Sequence, residues 1–326
     1  MRFAFTDEQL EFRDAVRDLL AKECTPTHLR DAWTNDTGRI PGLWRQLAEM
    51  GVVGMLAPEA NGGLGMDEID LVLLLEETGR VALPEPIVDT AAAAVPELIG
   101  DARLDAVVRG EITACVFDPQ IVGLATWADT ASVFIFAGNG ETLRGTPTEL
   151  RRGTSVDGSR RVFDVVADIP AGARTDNPIP DRGALGTAAQ LCGLADRMIE
   201  MTVDYVKERK QFGVPIGSFQ AVKHHLANAR LALEFARPLV YRAAYSVARH
   251  DPDRSAHVSM AKANASDAAH LASRVALQCH GAIGYTTEYD LHLYMKRAWA
   301  LARAWGDAGW HRQRIERALL GGTTNA

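Results

Sequence analysis

The sequence predicts a mainly α-helical protein with a small β domain. An N-terminal helical domain spans residues 1–110, a β domain 111–175 and a C-terminal four-helix bundle 176–326. Three observations carry this prediction. Apolar residues recur at helical spacing through the first hundred or so positions. Near Ile112 the pattern changes to that of short strands. From Gly183 the helical spacing returns in long segments joined by short loops, as in an antiparallel bundle.

Thr6-Asp7-Glu8-Gln9 reads as a capping box, and Phe12, Val16, Leu19 and Leu20 form the apolar face behind it. After a polar loop, Pro41 opens a second helix with Leu43, Trp44, Leu47 and Ala48 on one side, closed by Gly51. Asn61-Gly62-Gly63-Leu64-Gly65 is glycine-rich, but no strand precedes it and the spacing is not that of a dinucleotide fingerprint, so it reads as a turn. Asp67 to Gly79 is a strongly apolar helix, and alanine-rich helical material follows Pro84 and Pro86 up to Ile99. Thr113–Phe117, Ala131–Ala137 and Arg161–Val166 read as strands, with a turn at Gly138-Asn139-Gly140 and a return through Glu141–Arg144. The helices of the bundle are expected from Gly183 to Lys210, from Ser218 to about Arg249 with a kink at Pro238, from about Ser255 to Cys279, between Asp290 and Trp305, and between Trp310 and Leu320.

Composition excludes several classes. A net charge of −7 on 326 residues argues against nucleic acid as a partner and fits an anionic membrane surface poorly. No apolar run is long enough to span a bilayer, and the opening residues lack the apolar core of a signal peptide. Cys24, Cys115, Cys192 and Cys279 are scattered singly, which suggests neither a zinc site nor a disulfide framework. No metal site is expected: His224 and His225 lie on a polar helical face, and His257, His270 and His280 have no ligand spacing. A reduced, cytoplasmic protein is the expectation.

The stretch Tyr205–Gln220 organises the rest. One helix runs in, another runs out, and Gly213, Pro215 and Gly217 break the pattern between them. Arg209 sits at the closing end of the first helix, and Ser218 reads as the N-cap of the second. An always-charged fork donor beside a fresh helix N-terminus is suited to a pyrophosphate. An ordinary helix corner with a solvated arginine has the same pattern.

Arg209, Gln211, Phe212, Gly213, Pro215, Ile216, Phe219 and Gln220 together fill R-x-Q-F-G-x-P-I-x-x-F-Q, which resembles the C-terminal signature of the acyl-CoA dehydrogenase family. The resemblance implies that this stretch crosses a dimer interface to the ADP half of a neighbour's FAD. Gln278 to Glu288 resembles the family's Q-x-x-G-G-x-G-Y-x-x-E loop, with Ala282 in place of its second glycine. By that resemblance Gln278, Cys279, Gly281 and Ala282 would contact the same FAD. Read without it, Gly281 is a left-handed helix C-cap. The Trp44–Gly51 and Pro58–Gly65 segments and the opening F-T-x-E-Q are also similar to the family. The implied architecture is acyl-CoA dehydrogenase-like with a reduced middle β domain.

The departures are as informative. The family's chemistry needs an unpaired carboxylate to take the α-proton of the acyl-CoA. By alignment the usual base position holds Trp305, or Ala304 one residue away, and the alternative early-helix position falls near Gly183. Asp181 and Asp307 are the nearest carboxylates, and Asp307 is the only candidate base. The β domain lacks the family's flavin-ring loops. The resemblance therefore implies the short, base-lacking subunit of the heterotetrameric α2β2 acyl-CoA dehydrogenases of actinobacterial steroid catabolism. FAD would be shared with a longer partner subunit that carries the catalytic Glu and binds most of the acyl-CoA, with electron-transfer flavoprotein as electron acceptor. A self-sufficient flavoenzyme using Asp307 or no base, and a purely structural subunit, are the alternatives.

Overall fold

The computed structural model describes residues 4–118, 121, 123–138, 141–167 and 178–321. Helix α1 (Asp7–Glu23) starts at the expected capping box, with Thr6 accepting from Gln9 N–H and Gln9 answering to Thr6 N–H. The polar loop expected after it instead holds α2 (Pro26–Thr34). Thr25 caps it, Pro26 occupies its first turn, and Leu29 and Ala32 are buried. Its apolar face is too narrow to stand out in a polar stretch. Helix α3 (Leu43–Glu49) begins two residues after Pro41, at Gly42 with φ +81°, and Gly51 with φ +83° closes it. The glycine-rich loop is a turn containing a short 3-10 segment at Glu59–Asn61. Asp67 caps α4 (Glu68–Arg80). The alanine-rich stretch is a π-helical run, Val88–Ala94, that continues into α5 (Val95–Glu97), and α6 (Leu104–Val108) ends this part of the chain.

Two three-stranded sheets follow. In the first, β1 (Ala114–Phe117) lies parallel to β3 (Val133–Gly138), which pairs antiparallel with β4 (Glu141–Arg144). In the second, β6 (Val162–Ala167) lies between β2 (Ala125–Thr126) and β5 (Pro147–Arg152), both antiparallel to it. β2 and β5 were not expected, because one has only two residues and the other is a half-exposed, polar edge strand. Cys115, Phe117, Ala125, Ala128, Phe136 and Phe163 form a small core of their own. The turn at residues 139–140 and the boundary after residue 175 lie outside the described residues.

Helices α7 (Ile179–Glu208), α8 (Gln220–Ala248), α9 (Arg254–His280) and α10 (Leu291–Arg303) make the bundle, and α11 (Ala308–Leu320) packs on α9. Helix α8 runs through Pro238 without a break, and His224 and His225 are exposed. One hydrophobic core runs from Val16 to Trp305 and joins the N-terminal helices to the bundle. Its tightest contact is the crossing of α4 and α7. A β-carbon on Gly79 would stand 2.1 Å from Gln190 O, and one on Gly193 would stand 1.9 Å from Glu76 O. Only glycine permits that approach. Beside the crossing, Arg237 pairs with Glu76 at 2.7 Å and with Asp196 at 2.7 Å, and Tyr241 donates to Glu76 at 2.9 Å. These groups are partly buried, so the pairing offsets their desolvation.

Candidate functional site

Two regions of the bundle carry the residues singled out from the sequence. The first begins where α7 ends at Arg209, whose backbone turns extended (ψ 122°) while its N–H still bonds Tyr205 O at 2.9 Å. Strand β7 (Lys210–Gln211) then pairs with β8 (Val214–Pro215) in a minimal hairpin. The two residues between them, Phe212 (φ +52°) and Gly213 (φ +82°), are both in the left-handed region. That is the turn whose twist matches a two-residue hairpin, and glycine suits it better than phenylalanine does. Phe212 is 92% exposed at the tip, with Phe219 edge-on to it at 6.3 Å between ring centres. Arg209 and Gln211 are exposed, and no hydrogen bond or ion pair joins the Arg209 guanidinium to another described residue. Ile216 is partly buried in a 3-10 turn.

Ser218 does not cap α8. Its hydroxyl donates to Pro215 O at 2.7 Å, closing the 3-10 turn, and Phe219 stands at the N-cap with no side-chain bond. Local turn geometry outcompetes the cap here. The first N–H groups of α8 therefore keep no side-chain acceptor, close in sequence to the unpaired arginine. Both features favour an anion.

The second segment starts at the end of α9. Gly281 has φ +66° and ψ −143°, so it is not the left-handed helical cap but a conformation that belongs to glycine almost alone. A β-carbon there would meet nothing within 4 Å, which makes the constraint one of backbone and not of space. Gln278, Gly281 and Ala282 are exposed. Cys279 is buried, and desolvation pushes its thiol up in pKa. The two segments lie at the same end of the bundle. Tyr205, four residues before Arg209, stacks on His280 at 4.2 Å between ring centres, and Tyr289 packs on both rings. His280 Nδ1 donates to Ala276 O at 2.8 Å, and burial keeps the ring neutral by lowering its pKa.

The other region is the chain's own cavity, between the π-helical run, the sheets, α7 and α10. Trp305 fills it. This residue forms the corner between α10 and α11 at φ +56°, and its ring lies where a β-carbon on Gly183 would be, 2.3 Å away. The Asp89 carboxylate lines the same cavity and accepts from the Thr126 hydroxyl. Burial raises the Asp89 carboxyl to about 6. Burial likewise raises Glu85 to about 7, although Arg39 and Ile40 N–H donate to it. Arg297 pairs with Asp157 at 2.8 Å and donates to Ser159 at 3.0 Å, while Arg160 faces the cavity within electrostatic reach of Asp89. About 30 Å³ of free space remains. That is room for a water or two, where a cofactor-sized ligand takes roughly 300 Å³ or more.

Asp307 lies outside this cavity. It is exposed, it caps α11 by accepting from Trp310 N–H at 2.8 Å, and it opens on a separate recess beside Asp267, His270 and Trp299. Asp181 is buried and held by Ser255 and Arg314, each at 2.7 Å. Sequence reading missed Asp89, Glu85 and Arg160. A carboxylate inside the apolar run that begins at Ile87 was the available signal for the first of them. Among the described residues no His, Cys, Asp or Glu side chains cluster in a metal-binding group, and no helix is long and apolar enough to cross a membrane.

Residues 6–100 match the acyl-CoA dehydrogenase N-terminal domain and residues 181–320 the acyl-CoA dehydrogenase C-terminal domain. The acyl-CoA dehydrogenase IpdE2 of Mycobacterium tuberculosis is 33% identical over 299 residues, covering 90% of this chain and 91% of that protein. Among solved structures, the Tcur3481-Tcur3483 steroid ACAD G363A variant superposes with a TM-score of 0.87 at 24% identity over 98% of this chain and 99% of its own. The ChsE4-ChsE5 complex from Mycobacterium tuberculosis superposes with a TM-score of 0.85 at 22% identity, over 99% and 100%. With its helical domains, its two small sheets and these matches along nearly its whole length, the chain belongs to the acyl-CoA dehydrogenase family.

Proposed function

We propose that this chain is the shorter subunit of a heteromeric FAD-dependent acyl-CoA dehydrogenase, completing the FAD site of a longer partner and contributing no catalytic base. The observation that carries the reading is the contrast between the two regions. The hairpin end offers exposed donors, while the chain's own cavity is occupied by Trp305 at the position where a base would be aligned. FAD is the cofactor of the family and, when bound, would supply the hydride acceptor for oxidation of the acyl thioester at its β-carbon.

The exposed residues fit the adenosine diphosphate half of that group. Arg209 and the open N-terminus of α8 would neutralise the pyrophosphate. Gln211 and Phe212 would line it, and Ile216 and Phe219 would pack against the adenosine. Gln278, Ala282 and the backbone at Cys279 and Gly281 would close the far side. The cavity at Trp305 does not fit a flavin ring, so the ring pocket, the Glu and the acyl-CoA site fall to the partner. A steroid-derived acyl-CoA is the substrate class we assign, in keeping with the steroid ACAD among the structures that share the fold, and electron-transfer flavoprotein would be the acceptor. The domain division at residues 110 and 175 belongs to the same reading.

Flavin stoichiometry tests it. The isolated chain is expected to purify without flavin, and its complex with a longer relative to hold one FAD per pair of unlike chains. One FAD per chain in the isolated protein would overturn the proposal. The self-sufficient alternative requires Asp307→Asn to abolish turnover, and the exposed, capping position of Asp307 disfavours it. A purely structural subunit would leave flavin occupancy of the complex unchanged on Arg209→Ala.

A further inference from the structure

The corner between α10 and α11 places two adjacent residues, Trp305 (φ +56°) and Gly306 (φ +89°), in the left-handed region. A tryptophan stays there only if its surroundings over-determine it. Two buried side chains do so. Lys262, on α9, is 0% exposed, and its Nζ donates to Ala302 O at 3.1 Å, Gly306 O at 3.0 Å and Ser266 Oγ at 3.3 Å. His311, on α11, is also 0% exposed, with Nε2 at 2.9 Å from Trp305 O and Nδ1 at 3.1 Å from Ser259 Oγ. A carbonyl only accepts, so Nε2 carries the proton and Nδ1 accepts from the serine. The carbonyls of residues 302, 305 and 306 are thus all held by these two side chains.

We infer that Lys262 is a positioning residue whose proton clasps the α10–α11 corner and keeps Trp305 in the cavity, and that loss of this proton loosens the corner. The chemistry of the amine is the reason. An ammonium has three N–H donors for its three acceptors, and a neutral amine has two. Ser266 cannot compensate, because its hydroxyl proton is committed to Lys262 O at 2.7 Å. The ammonium also sits against the negative end of α10.

The groups around it set how readily it titrates. Burial disfavours the charge most, Asp307 favours it and Arg160 disfavours it. His311 is neutral, since burial foremost and then Lys262 push it down to about 3. Arg314, the α11 arginine within electrostatic reach of His311, is paired with Asp181 at 2.7 Å. Burial foremost, with Arg160 and against Asp307, brings Lys262 down to about 7. The clasp is independent of the flavin reading, and a chain found to bind FAD alone would leave it standing.

The test is fluorine NMR of the full chain labelled with 5-fluorotryptophan, with the Trp305 resonance assigned by its loss in Trp305→Phe. All variants are made in a background carrying both Asp89→Asn and Glu85→Gln, which removes the other titrating carboxyls of the cavity. A single transition of the Trp305 resonance near neutral pH is expected there. It should vanish when Lys262→Met is added, with the line already at its alkaline position throughout. No transition in the carboxylate-free background, or one that survives Lys262→Met, would overturn the inference. If Lys262→Met does not fold, Lys262→Arg supplies a charge that does not titrate. The Trp305 line must then hold its acidic position into alkaline solution, and movement there would overturn the inference equally.

Discussion

Phe212 and Trp305 are two large aromatic residues in nearly the same backbone state, φ +52° and φ +56°, each followed by a glycine with positive φ. One is 92% exposed and the other 4%. In both places the chain accepts left-handed strain, about 1–2 kcal/mol for a residue with a β-carbon, to aim a ring. At the hairpin the ring points outward, near an arginine whose guanidinium has no hydrogen-bond or ion-pair partner among the described residues. At the α10–α11 corner it points inward and fills the cavity. The same local device therefore opens one site and closes the other.

The largest effect should come from emptying the closed site. Trp305→Ala is expected to lower stability by about 3–5 kcal/mol, measured by urea unfolding of the isolated chain. A loss under about 1 kcal/mol would mean that Trp305 does not fill the cavity as described. The buried carboxylate beside it gives the next effect. Asp89 has its folded pKa raised to about 6 from 3.8, so its contribution is complete below pH 3.8 and is lost as pH rises through 6. That amounts to on the order of 2–3 kcal/mol, and Asp89→Asn should flatten this part of the stability profile.

At the open site the signs differ. Arg209→Ala should leave stability of the chain unchanged while weakening FAD retention by the complex by about 1.5–3 kcal/mol, the range for a charge-assisted bond, followed by flavin release. The smallest expected effect is also the sharpest. Phe212→Gly should stabilise the isolated chain, or leave it unchanged, because relief of strain of about 1 kcal/mol offsets the entropy of glycine. It should weaken FAD binding all the same. Destabilisation of the isolated chain by more than that amount would place Phe212 in the folded core and end the comparison.

Much of the open site was legible because its residues are contiguous and spaced by secondary structure. Arg209, the breaking glycines and the helices on either side could all be placed from the chain alone. The role of Ser218 could not, since a hydroxyl beside a turn has two competing acceptors, and the carbonyl of Pro215 took it. Likewise Gly281 showed as a glycine but not as one with ψ −143°. The closed site was mostly illegible. Trp305 stood out only as the residue in a carboxylate's place, while Asp89, Thr126 and Gly183 meet it from sequence distances that no local pattern encodes. The helix α2 and the two-residue strand β2 were hidden for a simpler reason, because short elements owe their existence to the surface they pack on.

The hairpin at Phe212 has a consequence for recognition. Its paired strands and edge-on phenylalanines fix the tip before any neighbour arrives. A surface that meets this end need not freeze a loop first, so the ordering entropy is settled during folding and not at encounter. Docking there should proceed as contact between pre-shaped bodies, with the lifetime of the complex, more than its rate of formation, carrying the affinity.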